Sequence, residues 1–278
     1  MLKNTLKVIV SRVKIVEGGP MVTDSVQKDI SPQNHRPVTA VCDFHRMSEG
    51  SVFYQSGNTR VLCTASIDNQ VPDWMRGKGS GWLTAEYQMH PRSNPKKRER
   101  RDGRGRAIGG RSQEIQRLIG RSLRAAVDLK MLGEKTITID CDVLEADGGT
   151  RTASITGGYI ALCLALHRLR QTGAILSPVL VDVVTAISVG EVDDQLVLDL
   201  CYEEDSRANV DLNLVATENG AIVEVQGTAE GRAIPRERLD ALIDLGLEGT
   251  NSLAFNLRQI LNEKGISLDS LLVRKKKP

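Results

Sequence analysis

Aromatic side chains are scarce in this chain: three Phe, four Tyr and two Trp make up 3% of its 278 residues. A small-molecule phosphotransferase would need a nucleoside pocket of stacked rings, and so few rings leave that reading little support. Histidine is equally thin, and His35, His45, His90 and His167 are dispersed without the spacing of a zinc site. The five cysteines (Cys42, Cys63, Cys141, Cys163 and Cys201) form no C-x-x-C pair and sit in apolar runs. They exclude a zinc ribbon or dithiol centre and read as reduced core residues of a cytoplasmic protein. No apolar run reaches the ~18 residues of a membrane span. The Val8-Ile9-Val10 core, broken by Arg12 and Lys14, is too short for a signal peptide. Neither G-x-S-x-G nor G-x-x-x-x-G-K-[ST] occurs, so a serine-hydrolase elbow and a nucleotide-triphosphatase loop are both excluded.

Charge is abundant but unevenly placed. The 37 Lys and Arg nearly cancel the 35 Asp and Glu, for a net +2, while 40% hydrophobic residues suffice for a real core. Between Pro91 and Arg111, however, nine cations (Arg92, Lys96, Lys97, Arg98, Arg100, Arg101, Arg104, Arg106 and Arg111) face only Glu99 and Asp102. With glycines, a proline and almost no apolar residue, the stretch predicts a mobile surface loop. A solvated loop is the plain reading. Like charges at this density also suit a polyanion, and such a loop would grip nucleic-acid phosphates without reading sequence, since only Trp82 and Tyr87 are nearby for stacking.

Periodicity supplies the elements. Residues 1–35 read as an N-terminal extension with Met21 as an alternative start, and residues 266–278 as a basic tail ending in Arg274-Lys275-Lys276-Lys277. Between them, Gly57-Asn58 separates two strand-like runs as a hairpin would. A helix is expected from Ser112, with Ile115, Leu118, Ile119, Leu123, Ala126 and Val127 in register. From Thr136 to Leu144, apolar Ile137, Ile139, Cys141 and Val143 alternate with polar residues, as in a half-buried strand. Ile155 to Leu169 is apolar nearly all round and predicts a helix buried between layers. Further strands are expected at Val179–Val189, Leu196–Tyr202 and Val210–Val215, with Asn219-Gly220 turning into Ala221–Val225. Two helices should follow, one from Pro235 through Leu247 and one from Ser252 to Asn262.

One stretch joins the alternating strand to the buried helix: Asp147-Gly148-Gly149-Thr150-Arg151-Thr152-Ala153-Ser154. Glycines let backbone amides approach a ligand, hydroxyls and a guanidinium stand beside them, Thr152 is the expected N-cap, and a helix N-terminus favours an anion. A glycine turn that simply caps a helix has the same appearance. A second such segment, Gly109-Gly110-Arg111, precedes the earlier helix. Asp199, Glu203-Glu204-Asp205 and Asp211 are either the solvated charges of a loop or a divalent-metal site, for which Asp205 and Asp211 beside a phosphate loop would suffice.

Gly81 to Tyr87, Gly109-Gly110-Arg111, Glu114 to Arg121, Asp140 to Leu144, Asp147 to Ser154 and Val225 to Glu230, in this order, resemble the ribonuclease PH family from about Arg36 to about Leu261. The resemblance implies a mixed α/β (α+β) fold, a two-layer unit of the ribosomal protein S5 domain 2-like type, with residues 36–265 as the catalytic domain of a ring-forming subunit, a homohexamer built as a trimer of dimers. It implies a phosphorolytic 3′-to-5′ exoribonuclease that trims tRNA precursors, releases nucleoside diphosphates, and adds nucleotides in reverse as a tRNA nucleotidyltransferase. Carried over residue by residue, phosphate would be bound by Arg111, Gly149, Thr150 and Arg151, and Asp205 and Asp211 would be catalytic and hold Mg²⁺. RNA would be held by Arg92, Lys96, Lys97, Arg98, Arg100, Arg101, Arg104 and Arg106. A non-catalytic ring subunit of the same fold is the alternative.

The chain departs from the family in two places. Ile30 to His35 replaces the usual arginine-glycine-arginine opening, leaving only Arg36-Pro37-Val38 as a match, and the basic loop is richer in arginine. The second departure has a measurable result: RNA binding should fall more steeply with salt in the native chain than in a variant with Arg98, Arg100, Arg101, Arg104 and Arg106 changed to Gln. Each lost phosphate contact lowers the slope of log K against log[salt] by roughly 0.7 for single strands. Equal slopes from titrations at several salt concentrations would show that the extra arginines do not touch RNA.

Overall fold

A computed structural model describes residues 31–99, 108–230 and 233–273. The first 30 residues with Met21, the cations Arg100, Arg101, Arg104 and Arg106, and the terminal Arg274–Lys277 lie outside the described residues.

Among the described residues, nine strands form two sheets. β1 (Val38–Cys42), β2 (Gly50–Ser56) and β3 (Thr59–Asp68) run antiparallel, joined by the expected hairpin at Gly57, whose φ is 55°. β4 (Trp82–Met89) leads through the basic segment into helix α1 (Gly110–Arg124) and the single turn α2 (Leu129–Leu132), and returns as β5 (Thr136–Glu145) parallel to β4. The order of this sheet is β1-β2-β3-β5-β4. Ile137, Ile139, Cys141 and Val143 are all buried on β5, as their alternation requires.

Helix α3 (Thr150–Gln171) follows and touches β2, β3 and β5 as well as strands of the second sheet. Every residue from Thr152 to Leu166 is buried, which explains why it carries no polar face. The second sheet has the order β7-β6-β8-β9, from β6 (Val184–Val192), β7 (Gln195–Leu198), β8 (Val210–Thr217) and β9 (Ile222–Ala229), with the short helix α4 (Tyr202–Asp205) between β7 and β8. Helix α5 (Arg236–Glu263) covers β6, β7 and β8. Four of the five cysteines are buried, Cys201 is half-buried, and all are free. Among the described residues no helix is long and apolar enough to cross a membrane.

Several elements differ from the sequence pattern. The strand expected from Val179 begins only at Val184, because Leu180 instead bridges Val127 and Leu272 outside the sheet. The strand expected through Tyr202 stops at Leu198, where Asp199 takes a left-handed φ of 56°. Two expected terminal helices are one helix of 28 residues. Gly246 and Gly249 lie inside it without ending it, because they are contact points: a Cβ at either would come within 2.7 Å of Leu214 or Leu198 of the sheet below. Residues 31–35 and 266–273 are also fixed to the fold. The Leu198 N–H donates to Pro32 O at 2.7 Å, and Ile266, Leu268 and Leu271 are buried.

Helix α3 passes close against the first sheet at Gly50, where a Cβ would stand 2.1 Å from Ala161 O and 2.7 Å from Ala165 N. Both are backbone atoms and cannot rotate away. Gly50→Ala should therefore cost about 1–3 kcal/mol by overpacking, seen in calorimetry as a melting temperature lower by roughly 3–10 °C. An unchanged melting temperature would mean that α3 and β2 are less tightly apposed.

Candidate active site

The turn from β5 into α3 takes two consecutive left-handed residues, Gly148 at φ 75° and Gly149 at φ 62°. A Cβ at Gly148 would lie 2.2 Å from Leu200 O, so both sterics and φ demand glycine there. Thr59 fastens the turn from one side, its hydroxyl accepting from Asp147 N at 2.9 Å and donating to Gly148 O at 2.6 Å. The Asp147 carboxylate accepts from the Asn58 amide at 3.1 Å and from the Tyr202 N–H at 3.2 Å. The N-cap is Gly149, not Thr152. No side chain caps α3, and the Thr152 hydroxyl donates back to Gly149 O at 2.9 Å. The first-turn amides of a 22-residue helix thus remain available at the cleft, with the positive end of its dipole.

Beneath the turn lies a buried ion pair, and it removes Asp199 from the acidic group that the sequence offered as loop charges or metal ligands. Arg36 Nη2 and Nε donate to the two oxygens of Asp199 at 2.6 and 2.9 Å, its backbone N–H adds a third bond at 2.9 Å, and Nη1 reaches Asp147 O at 2.5 Å. Burial pushes the Asp199 carboxyl up, but the Arg36 guanidinium and its hydrogen bonds outweigh that and hold it below the usual carboxylate range.

Arg111, Gly149, Thr150, Arg151, Asp205 and Asp211 all line one cleft of about 850 Å³. Arg111 lies in the first turn of α1, which starts at Gly110, two residues before the expected Ser112. The two glycine-arginine segments are not equivalent, because Gly109 and Gly110 have open space around them and no left-handed φ. Arg151 is oriented by partners from two other elements: Nη1 donates to Gln226 Oε1 of β9 at 2.9 Å, and Nη2 lies 3.6 Å from Glu114 Oε2 of α1. Gln226 in turn donates to Glu114 at 2.8 Å, closing a triangle. The Thr150 hydroxyl is engaged by the buried Tyr87 hydroxyl at 2.9 Å, so Thr150 presents its backbone to the cleft more readily than its side chain.

Facing the arginines, Asp211 stands on β8 and Asp205 ends α4. Loss of hydration raises the Asp211 carboxyl, and neighbouring Asp205 and Glu230 raise it further, against the pull of Arg151 and Arg111, to about 6. Asp205 is raised for the same first reason, with both arginines opposing. The Asp211 carboxyl therefore keeps its proton to higher pH than a free aspartate does. Of the basic segment, Lys97 and Arg98 line this cleft, while Arg92 and Lys96 line an adjoining cavity. Among the described residues no group of three or more His, Cys, Asp and Glu is placed to hold a metal ion. Sequence reading missed Arg36, Tyr87, Glu114 and Gln226 as site residues; the last two were visible inside long motifs, but only the fold brings them to Arg151.

Comparison with known proteins gives the context. The 3′ exoribonuclease family matches twice, its domain 1 over residues 34–166 and its domain 2 over residues 182–249. A protein of Moorella thermoacetica named Ribonuclease PH is 51% identical over 228 residues, covering 82% of this chain and 91% of that one. A protein of the same name from Mycolicibacterium smegmatis is 52% identical over 228 residues, covering 82% and 88%. Among solved structures, rice Rrp46 matches with a TM-score of 0.67 at 17% identity, over 84% of this chain and 98% of that one. The Archaeoglobus fulgidus exosome with RNA bound to the active site matches at 0.63 and 20% identity, over 85% and 91%. At such identities the structural likeness speaks to the fold alone.

The Asp211 environment yields a stability test independent of chemistry. Its pKa is about 6 when folded and roughly 3.9 when unfolded. The folded state therefore binds the proton more tightly, and the fold loses stability as pH rises between those values. Asp211→Asn should melt about 2–4 °C above the native chain at pH 7.5, roughly 1 kcal/mol after allowance for solvent screening, and the two should converge at pH 4. A variant that melts lower at pH 7.5 would show the carboxylate to be stabilised by its neighbours instead.

Proposed function

The chain belongs to the ribonuclease PH family of 3′ exoribonucleases, and we propose that its cleft is where inorganic phosphate attacks the last phosphodiester of an RNA. It is a phosphorolytic 3′-to-5′ exoribonuclease of tRNA processing, and in reverse a tRNA nucleotidyltransferase. The observation that carries the site assignment is the convergence of two guanidiniums, an uncapped helix N-terminus and two carboxylates on one cleft.

In this reading Arg111, Arg151 and the backbone of Gly149 and Thr150 hold the attacking phosphate. Glu114 and Gln226 fix the Arg151 fork, so the nucleophile is positioned before reaction. A phosphate oxygen forms a bond to the terminal phosphorus, the bond from that phosphorus to the neighbouring 3′-oxygen breaks, and a nucleoside diphosphate departs. The new 3′-hydroxyl needs a proton, which Asp211 can supply when its carboxyl is not holding an ion, since its pKa in the ion-free cleft is about 6. Because one phosphate linkage replaces another, the step reverses readily. Asp205 and Asp211 are hard oxygen donors whose number suits Mg²⁺, an ion that takes one or two carboxylates and completes its shell with water and phosphate oxygens. When bound, the ion would offset charge on the scissile group.

Around this centre, Arg92, Lys96, Lys97 and Arg98, together with Arg100, Arg101, Arg104 and Arg106, are assigned to the RNA backbone. We take residues 36–265 as the catalytic unit and the homohexamer, a trimer of dimers, as the working assembly. Support for association comes from Ile222 and Val225, both exposed on β9, an edge strand of the second sheet. Five unpaired cysteines favour the cytoplasm.

With a tRNA carrying extra 3′ nucleotides, Mg²⁺ and phosphate, Arg151→Ala should lose roughly 10²–10³ in turnover, the usual loss for a charge-stabilising donor, while the basic loop keeps most RNA affinity. Nucleotides released by the native chain should be diphosphates and should require phosphate. Full activity in the variant would refute the site assignment, and monophosphates without phosphate would mean hydrolysis.

A further inference from the structure

A second cavity of about 820 Å³ adjoins the cleft, and Asn94, Ala146 and Tyr202 line both. Tyr202 stands at their junction with 44% of its surface exposed, in a chain that has few aromatic residues. It opens α4, and Asp205 closes it. Residues three apart on one helical turn share a face, so whatever rests on the Tyr202 ring lies next to the carboxylates. The Lys96 ammonium lies over one face of the ring, 5.3 Å from its centroid, a cation for a phosphate that leaves a base the opposite face. Deeper in the cavity Ser93 is only 3% exposed, and its hydroxyl has no hydrogen-bond partner among the described residues. A buried hydroxyl left unpaired costs stability that a bound polar group recovers. Two of the three acidic residues in its wall are already engaged: Glu145 pairs with Arg60 at 2.8 Å, and Asp147 holds Asn58 and the Tyr202 N–H, while Glu203 is exposed to solvent.

We propose that Tyr202 and the cavity behind it form a base-binding subsite for one of the two RNA nucleotides that flank the scissile linkage. The inference rests on the reading of the neighbouring cleft as the phosphorolytic centre. Single-strand sites combine cations that follow the backbone with aromatic faces that accept any base, and the Tyr202 junction has both. Ser93, Asn58 and Asn94 offer donors and acceptors to the edge of the stacked base. Stacking tolerates sequence, as an enzyme that removes successive nucleotides requires.

The test uses the full chain and measures equilibrium binding of short single-stranded RNAs without phosphate, so that no turnover occurs. Three RNAs are compared: intact, abasic at the terminal nucleotide, and abasic at the penultimate one. For the native chain, one of the two abasic RNAs should bind roughly five- to tenfold more weakly, the loss of a single base–aromatic stack. Tyr202→Phe should keep that penalty. Tyr202→Ala should bind intact RNA more weakly by the same factor and no longer distinguish it from the abasic RNA. If Tyr202→Ala discriminates as strongly as the native chain, or if neither abasic RNA is weakened in the native chain, the subsite does not exist. If phosphate is then added and the native chain releases no nucleoside diphosphate, the phosphorolytic reading falls, while the binding comparison still decides the subsite.

Discussion

The buried pair between Arg36 and Asp199 is the constraint on which the site depends. Two ions taken out of water cost several kcal/mol each unless their geometry is good and their remaining valences are filled. Here they are filled: Asp199 accepts from Arg36 Nε, Nη2 and backbone N, and from the Ser56 hydroxyl at 3.1 Å. The remaining arm of Arg36 is spent on Asp147 O, at the entrance of the glycine turn. One ion pair thus ties together the segment before β1, the end of β2, the turn into α3 and the bend after β7. To make these bonds Asp199 adopts a left-handed backbone, and so β7 ends where it does.

Around that anchor the electrostatics of the cleft are arranged in layers. The deepest cation is neutralised locally and serves structure. Arg151 is partly compensated by Glu114 and held in direction by Gln226, so its fork is fixed without losing all of its charge. Arg111, exposed on the first turn of α1, keeps its field for the cleft and is felt by both Asp205 and Asp211. Lost hydration raises both carboxyls, and Asp205 raises Asp211 further, to about 6, a state suited to moving a proton.

Local pattern made much of this legible. The alternation on β5, the Gly57 hairpin and the apolar length of α3 each follow from a period that neighbouring residues reveal. The glycine turn into α3 was readable too, because Gly148 and Gly149 stood together between the alternating strand and the apolar helix. What stayed hidden depends on distance along the chain: Arg36 meets Asp199 163 positions away, and Arg151 meets Gln226 75 positions away. The continuity of α5 was hidden for another reason. Glycine inside a helix lowers its propensity, and only the sheet beneath shows that Gly246 and Gly249 are there for close approach.

The two glycine pairs, alike on the page, differ in how much change they can absorb. Gly109 and Gly110 stand in open space and could exchange for many residues without disturbing a neighbour. Gly148 cannot, being held by a left-handed φ and by the Leu200 carbonyl 2.2 Å from where any side chain would begin. Tolerance is therefore unequal: a side chain at Gly109 or Gly110 would meet nothing, while the turn before Arg151 is closed to substitution. A designer wishing to retarget the enzyme would rebuild the first and leave the second alone.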